Sequence, residues 1–274
     1  MTTISPAPNS TTDPGDDIQG REVGFLWDLI VVAGRALRQI PRDPESLIPA
    51  LIVPVFFFTV NLGSLQKVTR QAAGIDLKAF LLPVAIVFAV TGISRASTLV
   101  TDIQGGYFDR LCVTPVRRLA LLLGLMVADF TLVVALTIPV LVVGFAVGVS
   151  FATGVAGVVV FILLAASWGL AFTGFPYAIA LKTGNPAAVN SSFVLFFPLA
   201  FLTTAFVPKS SLTGWLSTIA TYNPVTYLLD GLRALTSAGW DGTALAEALV
   251  SIAAVGVISM SLALAALRGR VRRG

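Results

Sequence analysis

The sequence predicts an all-α integral membrane protein with six transmembrane helices, an amphipathic N-terminal interfacial helix and an outer re-entrant hairpin before the last helix. Two observations predict this class. The chain has 274 residues, of which 56% are hydrophobic and only 12% are charged, whereas soluble domains carry about 25% charged residues. Its apolar runs reach about 20 residues, which is the length that an α-helix needs to cross a bilayer.

Composition excludes several kinds of site. The chain has no histidine, and its one cysteine is Cys112. Histidine-based catalysis, histidine metal ligation, an intrachain disulfide and a four-cysteine zinc site are therefore excluded. The net charge of +4 comes from basic residues beside apolar runs, so it indicates membrane topology and headgroup contacts rather than binding to nucleic acid.

The first 41 residues divide into two parts. Residues 1–21 are rich in Pro, Ser, Thr, Asp and Gly, so we expect a disordered cytoplasmic tail, and they lack the basic and apolar regions of a signal peptide. In and beside residues 22–41, one helical stripe carries Arg21, Asp28, Arg35, Arg38 and Arg42, and apolar residues with Trp27 cover much of the rest. This pattern predicts a helix in the plane of the membrane interface. The alternative is the start of an ordinary spanning helix, which Pro41 and Pro44 disfavour.

The membrane domain is predicted to cover residues 22–267, with a basic cytoplasmic tail at 268–274. Residues 208–243 are amphipathic and aromatic, but neither half is long enough to cross, so they are predicted to be an outer re-entrant or interfacial segment. The predicted spans are residues 46–65, 79–100, 119–149, 155–181, 188–207 and 243–267.

Charge asymmetry supports this topology. With both termini in the cytoplasm, twelve of the 18 Lys and Arg residues lie on the cytoplasmic side and five on the outer side, while Arg95 lies within a span. This bias follows the positive-inside rule. The C-terminal tail supplies much of the bias, so a five-span model is the main alternative.

Two charged residues lie within predicted spans. Asp129 follows Arg118 by a helical distance of about 16 Å, and an unpaired carboxylate at that depth is costly. Arg95 is the candidate partner, and its side chain could also reach the inner surface. A structural ion pair is the favoured interpretation over a role in substrate or proton movement, because no chain of further carboxylates is present.

Several functional signatures are missing from the sequence. It contains no G-x-x-x-x-G-K-[ST] phosphate loop, no serine nucleophile elbow and no metal-ligand cluster, and neither a filter-like loop nor a pore charge ring stands out. These absences favour a non-catalytic transporter subunit whose energy comes from another chain. The alternative is a membrane scaffold or sensor subunit that transports nothing.

Three motifs resemble those of ABC-2 type ABC transporter permeases, most closely the bacterial daunorubicin-resistance type of drug exporter. Residues 106–119 (GYFDRLCVTPVRRL) resemble the family's loop before the third span. Residues 185–190 (NPAAVN) and 197–208 (FPLAFLTTAFVP) form the second match, and residues 214–216 (GWL) with 222–227 (YNPVTY) form the third. The resemblance implies an ABC-2, type V exporter-like fold with two permeases, identical or different, over two nucleotide-binding ATPase subunits.

In this resemblance, residues 102–119 form the loop that docks on the ATPase. No cofactor is expected on this chain, because ATP and Mg belong to the partner. The alternative is an ordinary basic cytoplasmic loop. The predicted coupling residues are Tyr107, Phe108, Asp109, Arg110, Leu111, Pro115, Arg117 and Arg118.

The resemblance also assigns an outer gate to the segment before the last span. We expect a multi-pass protein of the bacterial inner or plasma membrane, in contact with lipids, that exports a hydrophobic drug, antibiotic or lipid. The alternative cargo is a polysaccharide or lipid-linked glycan, which the Val-, Leu-, Ala- and Phe-rich spans disfavour. The predicted gate residues are Phe206, Trp215, Asn223, Pro224 and Tyr227.

Overall fold

The structure is a computed structural model that describes residues 24–40, 44–73, 76–91, 93–106 and 118–271. Within these ranges its regular elements are helical. The predicted disordered tail and most of the predicted coupling loop lie outside the described residues.

Most helices of the described ranges overlap the predicted spans, but several of their ends differ. Helix α2 continues to Ala73, eight residues past the predicted end of the first span. Helix α4 continues to Gln104 and includes the first three residues of the predicted coupling loop, and the last helix continues into the basic tail. In chain order they are α1 (Phe25–Gln39), α2 (Pro44–Ala73), α3 (Leu77–Thr91), α4 (Ala96–Gln104), α5 (Arg118–Ala146), α6 (Gly154–Thr183), α7 (Pro186–Ser191), α8 (Phe196–Phe201), α9 (Gly214–Tyr222), α10 (Pro224–Arg233) and α11 (Gly242–Val271).

Five segments of the described residues are long and apolar enough to cross a membrane. They correspond to the predicted first, second, third, fourth and sixth spans, so the prediction of an all-α membrane protein is confirmed. Helix α1 has 15 residues, fewer than the roughly 20 that a crossing needs. The candidate spans are Leu47–Ser64, Leu77–Gln104, Leu122–Ala146, Gly154–Thr183 and Gly242–Arg270.

The predicted fifth span is not one continuous helix. Helices α7 and α8 are joined by a 3₁₀ turn at Ser192–Leu195, and α8 ends at Phe201. The physical reason for this end is a cap from elsewhere in the chain. The Asn223 amide donates hydrogen bonds to the carbonyls of Leu199 and Leu202, at 2.7 and 2.9 Å, and thereby satisfies acceptors that a continuing helix would use.

This broken segment runs antiparallel to α3 and α4. Ser97 donates a hydrogen bond to Asn190 (3.4 Å), the Phe88 ring lies 5.4 Å from the Phe196 ring, and further along Arg233 joins the carbonyls of Phe80 and Thr204. From residue 190 to residue 204 the chain therefore passes from the level of Ser97 to that of Phe80. A continuous α-helix with the sequence separation of Phe80 and Ser97 would span about 25 Å.

Small residues allow the closest helix contacts. A Cβ added at Gly174 of α6 would lie 2.5 Å from the carbonyl carbon of Ser259 in α11, and one added at Gly231 would lie 2.7 Å from Ala248. Ser259 also donates a hydrogen bond to the Ala171 carbonyl across the same contact. Glycine and serine at such positions let membrane helices approach closely and join through hydrogen bonds.

The helical bundle has two ends that carry different polar contacts. At the Asp102 end, Gln104 donates a hydrogen bond to the carbonyl of Gly184 at 3.0 Å. At the Arg233 end, Lys78 donates to the carbonyl of Val147 at 2.8 Å. The first end contains Asp102 and the second contains Arg233.

Candidate functional site

The predicted coupling residues lie mostly outside the described ranges. Residues 107–117 are not described, and Arg118 is the first residue of α5. The helices that flank this segment are described: α4 ends at Gln104 and α5 begins at Arg118, both at the Asp102 end. The assignment of the coupling residues therefore stays a prediction.

An ion pair ties the N-terminal helix to this end of the bundle. An Arg35 guanidinium nitrogen lies 2.7 Å from a carboxylate oxygen of Asp102 in the last turn of α4. Helix α1 also packs tightly on α5, since a Cβ added at Gly124 would lie 2.7 Å from Val32. A displacement of α4 at the Asp102 end would therefore also displace α1.

Asp129 lies at the centre of a buried polar cluster. Its side chain is fully buried. Oδ1 accepts a hydrogen bond from the backbone N–H of Arg95 at 2.8 Å, and Oδ2 accepts one from the Tyr177 hydroxyl at 2.6 Å. The carboxylate thus joins three helices, because these residues belong to α5, to the start of α4 and to α6.

The structure brings the predicted pair Arg95 and Asp129 together through the main chain of Arg95. The Arg95 guanidinium donates to the Ala36 carbonyl at 3.3 Å and to the Gln39 side chain at 3.4 Å, both at the end of α1. Tyr177 is not among the residues predicted from the sequence. Its signal was a tyrosine inside an apolar span, since a buried phenol usually needs a hydrogen-bond partner.

The contact of Asp129 with Arg95 lies at a break in the second span. Helix α3 ends at Thr91 and α4 begins at Ala96, and the first N–H groups of a helix have no acceptor within it. Asp129 supplies an acceptor beside this break. On the other side, the indole N–H of Trp168 donates to the Thr91 hydroxyl at 2.9 Å, so α5 and α6 both hold the break.

The predicted gate residues lie toward the Arg233 end. The Phe206 ring packs near those of Phe88 and Phe201, while Trp215 on α9 is exposed. Asn223 caps α10 by accepting from the Val225 N–H, and Pro224 is the first residue of that helix. Tyr227 donates to the Thr221 carbonyl at 2.6 Å. The structure thus shows how these residues are placed, while their role as a gate stays a prediction.

Arg233 lies in the predicted outer segment, residues 208–243, where the sequence predicts no contact for it. In the structure its side chain joins several parts of the Arg233 end. Its guanidinium donates to the carbonyls of Phe80 (3.3 Å), Thr204 (2.9 Å) and Ala205 (3.1 Å), and it lies 3.6 Å from the Phe80 ring centroid. Burial lowers the pKa of Arg233 to about 10, while Asp230 favours the charged form. The side chain is therefore protonated at neutral pH.

Replacing Arg233 by glutamine is expected to lower the free energy of unfolding by about 3 kcal/mol, because it leaves several buried carbonyls without a donor. Thermal unfolding of the purified full chain in detergent measures this change. The control is Lys209→Gln, which neutralises an exposed cation near the same end. Equal unfolding temperatures for the two variants would contradict the assigned role of Arg233.

Two adjoining cavities lie between α2, α3–α4 and the broken segment. The larger, about 430 Å³, lies nearer the Asp102 end and has polar lining residues that include Ser94, Arg95 and Asn190. The smaller, about 130 Å³, is lined by aromatic residues of α2, α3 and the segment around α8. Val53, Pro54 and Phe88 line both cavities. The aromatic residues of the smaller cavity are Phe57, Phe58, Phe88, Phe197, Phe201 and Phe206.

Residues 28–236 match the family model described as ABC-2 type transporter. The match covers more than half of the chain, which therefore belongs to the ABC-2 type transporter family. Together with the apolar helices, this makes the protein a multi-pass membrane subunit of an ABC transporter.

The curated relatives include proteins with drug-resistance names. The chain is 26% identical over 219 residues to the probable doxorubicin resistance ABC transporter permease protein DrrC of Mycobacterium tuberculosis, covering 78% of this chain and 79% of that protein. It is 26% identical over 216 residues to the daunorubicin resistance ABC transporter permease protein DrrB1 of Streptomyces coeruleorubidus, covering 76% and 75%. The putative transport permease ycf38 of Cyanophora paradoxa is also 26% identical, over 219 residues, covering 78% and 75%.

Proposed function

We propose that this chain is the permease of an ATP-driven exporter that moves a hydrophobic drug, antibiotic or lipid out of the cell. The pair of cavities that meet at Phe88 carries the proposal. The larger cavity offers polar groups toward the Asp102 end, and the smaller offers aromatic rings toward the Arg233 end. An apolar site with a few polar groups suits an amphiphilic small molecule.

The proposed topology has six crossings with both termini in the cytoplasm of a bacterial cell. The broken segment supports the sixth crossing, because its course of about 25 Å beside α3 and α4 approaches the roughly 30 Å thickness of the hydrocarbon core. The excess of Arg and Lys near the Asp102 end supports a cytoplasmic position for that end. Residues 208–243 then form the outer re-entrant segment.

The proposed energy source is a separate nucleotide-binding ATPase that carries ATP and Mg and docks on the segment between α4 and α5. A second permease, identical or different, completes the transporter. The exposed face of α2 supports this partner or lipid contact, since Ile52, Phe56 and Phe57 are each more than half exposed. Large apolar surfaces of this kind mark interfaces or membrane contact.

The test of the cargo path is the replacement of Phe88 by tryptophan. Tryptophan at this position would narrow the space where the two cavities meet. A steric penalty of about 1–3 kcal/mol against a bound cargo should lower doxorubicin efflux by about tenfold or more. The measurement is accumulation of this fluorescent drug in cells that express the full transporter, with the amount of permease in the membrane determined in parallel.

The matched control for this test is Val257→Trp, which adds similar bulk at an exposed position of α11. We expect its efflux to equal that of the wild type. Equal efflux by the Phe88 variant, at equal expression, would contradict the proposed path.

A further inference from the structure

A separate groove lies between α6 and α11 at the Asp102 end. Its volume is about 730 Å³, and none of its lining residues lines the two cavities described above. Small residues of both helices form much of its wall, and their short side chains leave open space between the two helices. These residues are Ala178, Ala265, Ala266 and Gly269.

The lining of this groove changes from charged to apolar along the helices. Lys182 of α6 and Arg270 of α11 lie near the helix ends, while Phe175, Ile179 and Leu262 line the part nearer the membrane centre. Phe175 lies about 10 Å from Lys182 along α6, and Leu262 lies about 12 Å from Arg270 along α11. The groove therefore complements an anionic amphiphile whose charged group lies at the end of the bundle.

Both cations lie at the mouth of the groove. Arg270 donates to the carbonyl of Leu181 at 3.4 Å, the residue that precedes Lys182 in α6. Lys182 is exposed and forms no ion pair with a carboxylate of the described residues. A positive mouth above an apolar groove complements a phosphodiester group attached to acyl chains, as in basic pockets between membrane helices that bind anionic lipid headgroups.

We propose that this groove binds an anionic phospholipid of the adjacent leaflet, with the phosphodiester between Lys182 and Arg270 and an acyl chain along α6 and α11. The groove is independent of the cargo path, so this inference goes beyond the proposed function. Only the assignment of the leaflet as cytoplasmic rests on the proposed topology. A bound lipid would brace the two helices next to the contact of Gln104 with Gly184.

The test uses native mass spectrometry of the purified full chain in detergent, titrated with palmitoyl-oleoyl phosphatidylglycerol or with the matching phosphatidylcholine. The wild type is expected to bind phosphatidylglycerol preferentially. Lys182→Gln should reduce that preference about fivefold, since each cation near an anionic lipid surface contributes about that factor. The control is Arg268→Gln, which removes an exposed cation that does not line the groove and should retain the preference.

A second variant tests the groove without changing its charge. A Cβ added at Gly269 meets no atom within 4 Å, so Gly269→Leu should fill the mouth, keep the unfolding temperature and lose at least half of the bound phosphatidylglycerol. Equal losses in the Lys182 and Arg268 variants would indicate general attraction to anionic lipid and overturn the proposal. Unchanged binding of phosphatidylglycerol by Gly269→Leu would also overturn it. A change of oligomeric state in this variant would identify a second copy of the chain as the occupant and would likewise overturn the lipid proposal.

Discussion

Replacing Phe108 by alanine together with Arg110 by glutamate is expected to abolish recovery of the ATPase with this chain. An aromatic anchor at the centre of an interface contributes about 2 kcal/mol or more, and reversing a charge opposite an acidic partner adds repulsion. The combined loss should lower affinity by at least about a hundredfold. Affinity purification of the tagged permease from membranes in mild detergent, followed by quantification of the nucleotide-binding subunit, measures it.

A matched control uses the opposite end of the bundle. Trp240→Ala with Lys209→Glu makes the same kinds of change at exposed residues toward the Arg233 end, and it should leave ATPase recovery unchanged. Undiminished recovery with the Phe108 and Arg110 variant would remove the coupling proposal. The prediction rests on the sequence of residues 106–119 and on the flanking helices, because Phe108 and Arg110 lie outside the described residues.

Replacing Asp129 by leucine is expected to lower the free energy of unfolding by about 4 kcal/mol. The change leaves the buried Arg95 N–H and Tyr177 hydroxyl without an acceptor, and each unsatisfied group costs about 1–3 kcal/mol. Asp129→Asn should cost less, because the amide oxygen can still accept from the Arg95 N–H. Unfolding of the purified chain in detergent measures both variants.

The control for Asp129 is Thr137→Val on the same helix. Thr137 is buried and donates to the Val133 carbonyl within α5, so its loss should cost about 1 kcal/mol. A double-mutant cycle of Asp129→Leu with Tyr177→Phe should give a coupling free energy of about 1 kcal/mol or more. A coupling near zero, or equal losses at Asp129 and Thr137, would show that the cluster does not hold the helices together.

Much of the fold could be predicted from run length and charge. Apolar runs of about 20 residues gave the long helices, and the proline break after residue 40 separated α1 from α2. The fifth predicted span was too regular, because its end depends on a cap by Asn223, which lies more than 20 residues further along the chain. Such a contact leaves no periodic signal in the span itself.

The contacts of the buried polar residues could also be predicted only in part. The depth of Asp129 in its span and the nearby Arg95 predicted that the two residues meet, but their contact runs through a main-chain N–H at a helix break. The role of Arg233 could not be predicted from the sequence, because its partners are the carbonyl groups of Phe80, Thr204 and Ala205. Every residue type has a carbonyl, so the sequence cannot identify these partners.

The most direct test of the proposed export function is transport by proteoliposomes that contain this chain with or without the nucleotide-binding subunit that copurifies with it. We expect ATP-dependent movement of doxorubicin only when both are present, and ATP hydrolysis only by the partner. Transport at the same rate without the partner or without ATP would contradict this account, as would ATP hydrolysis by the chain alone.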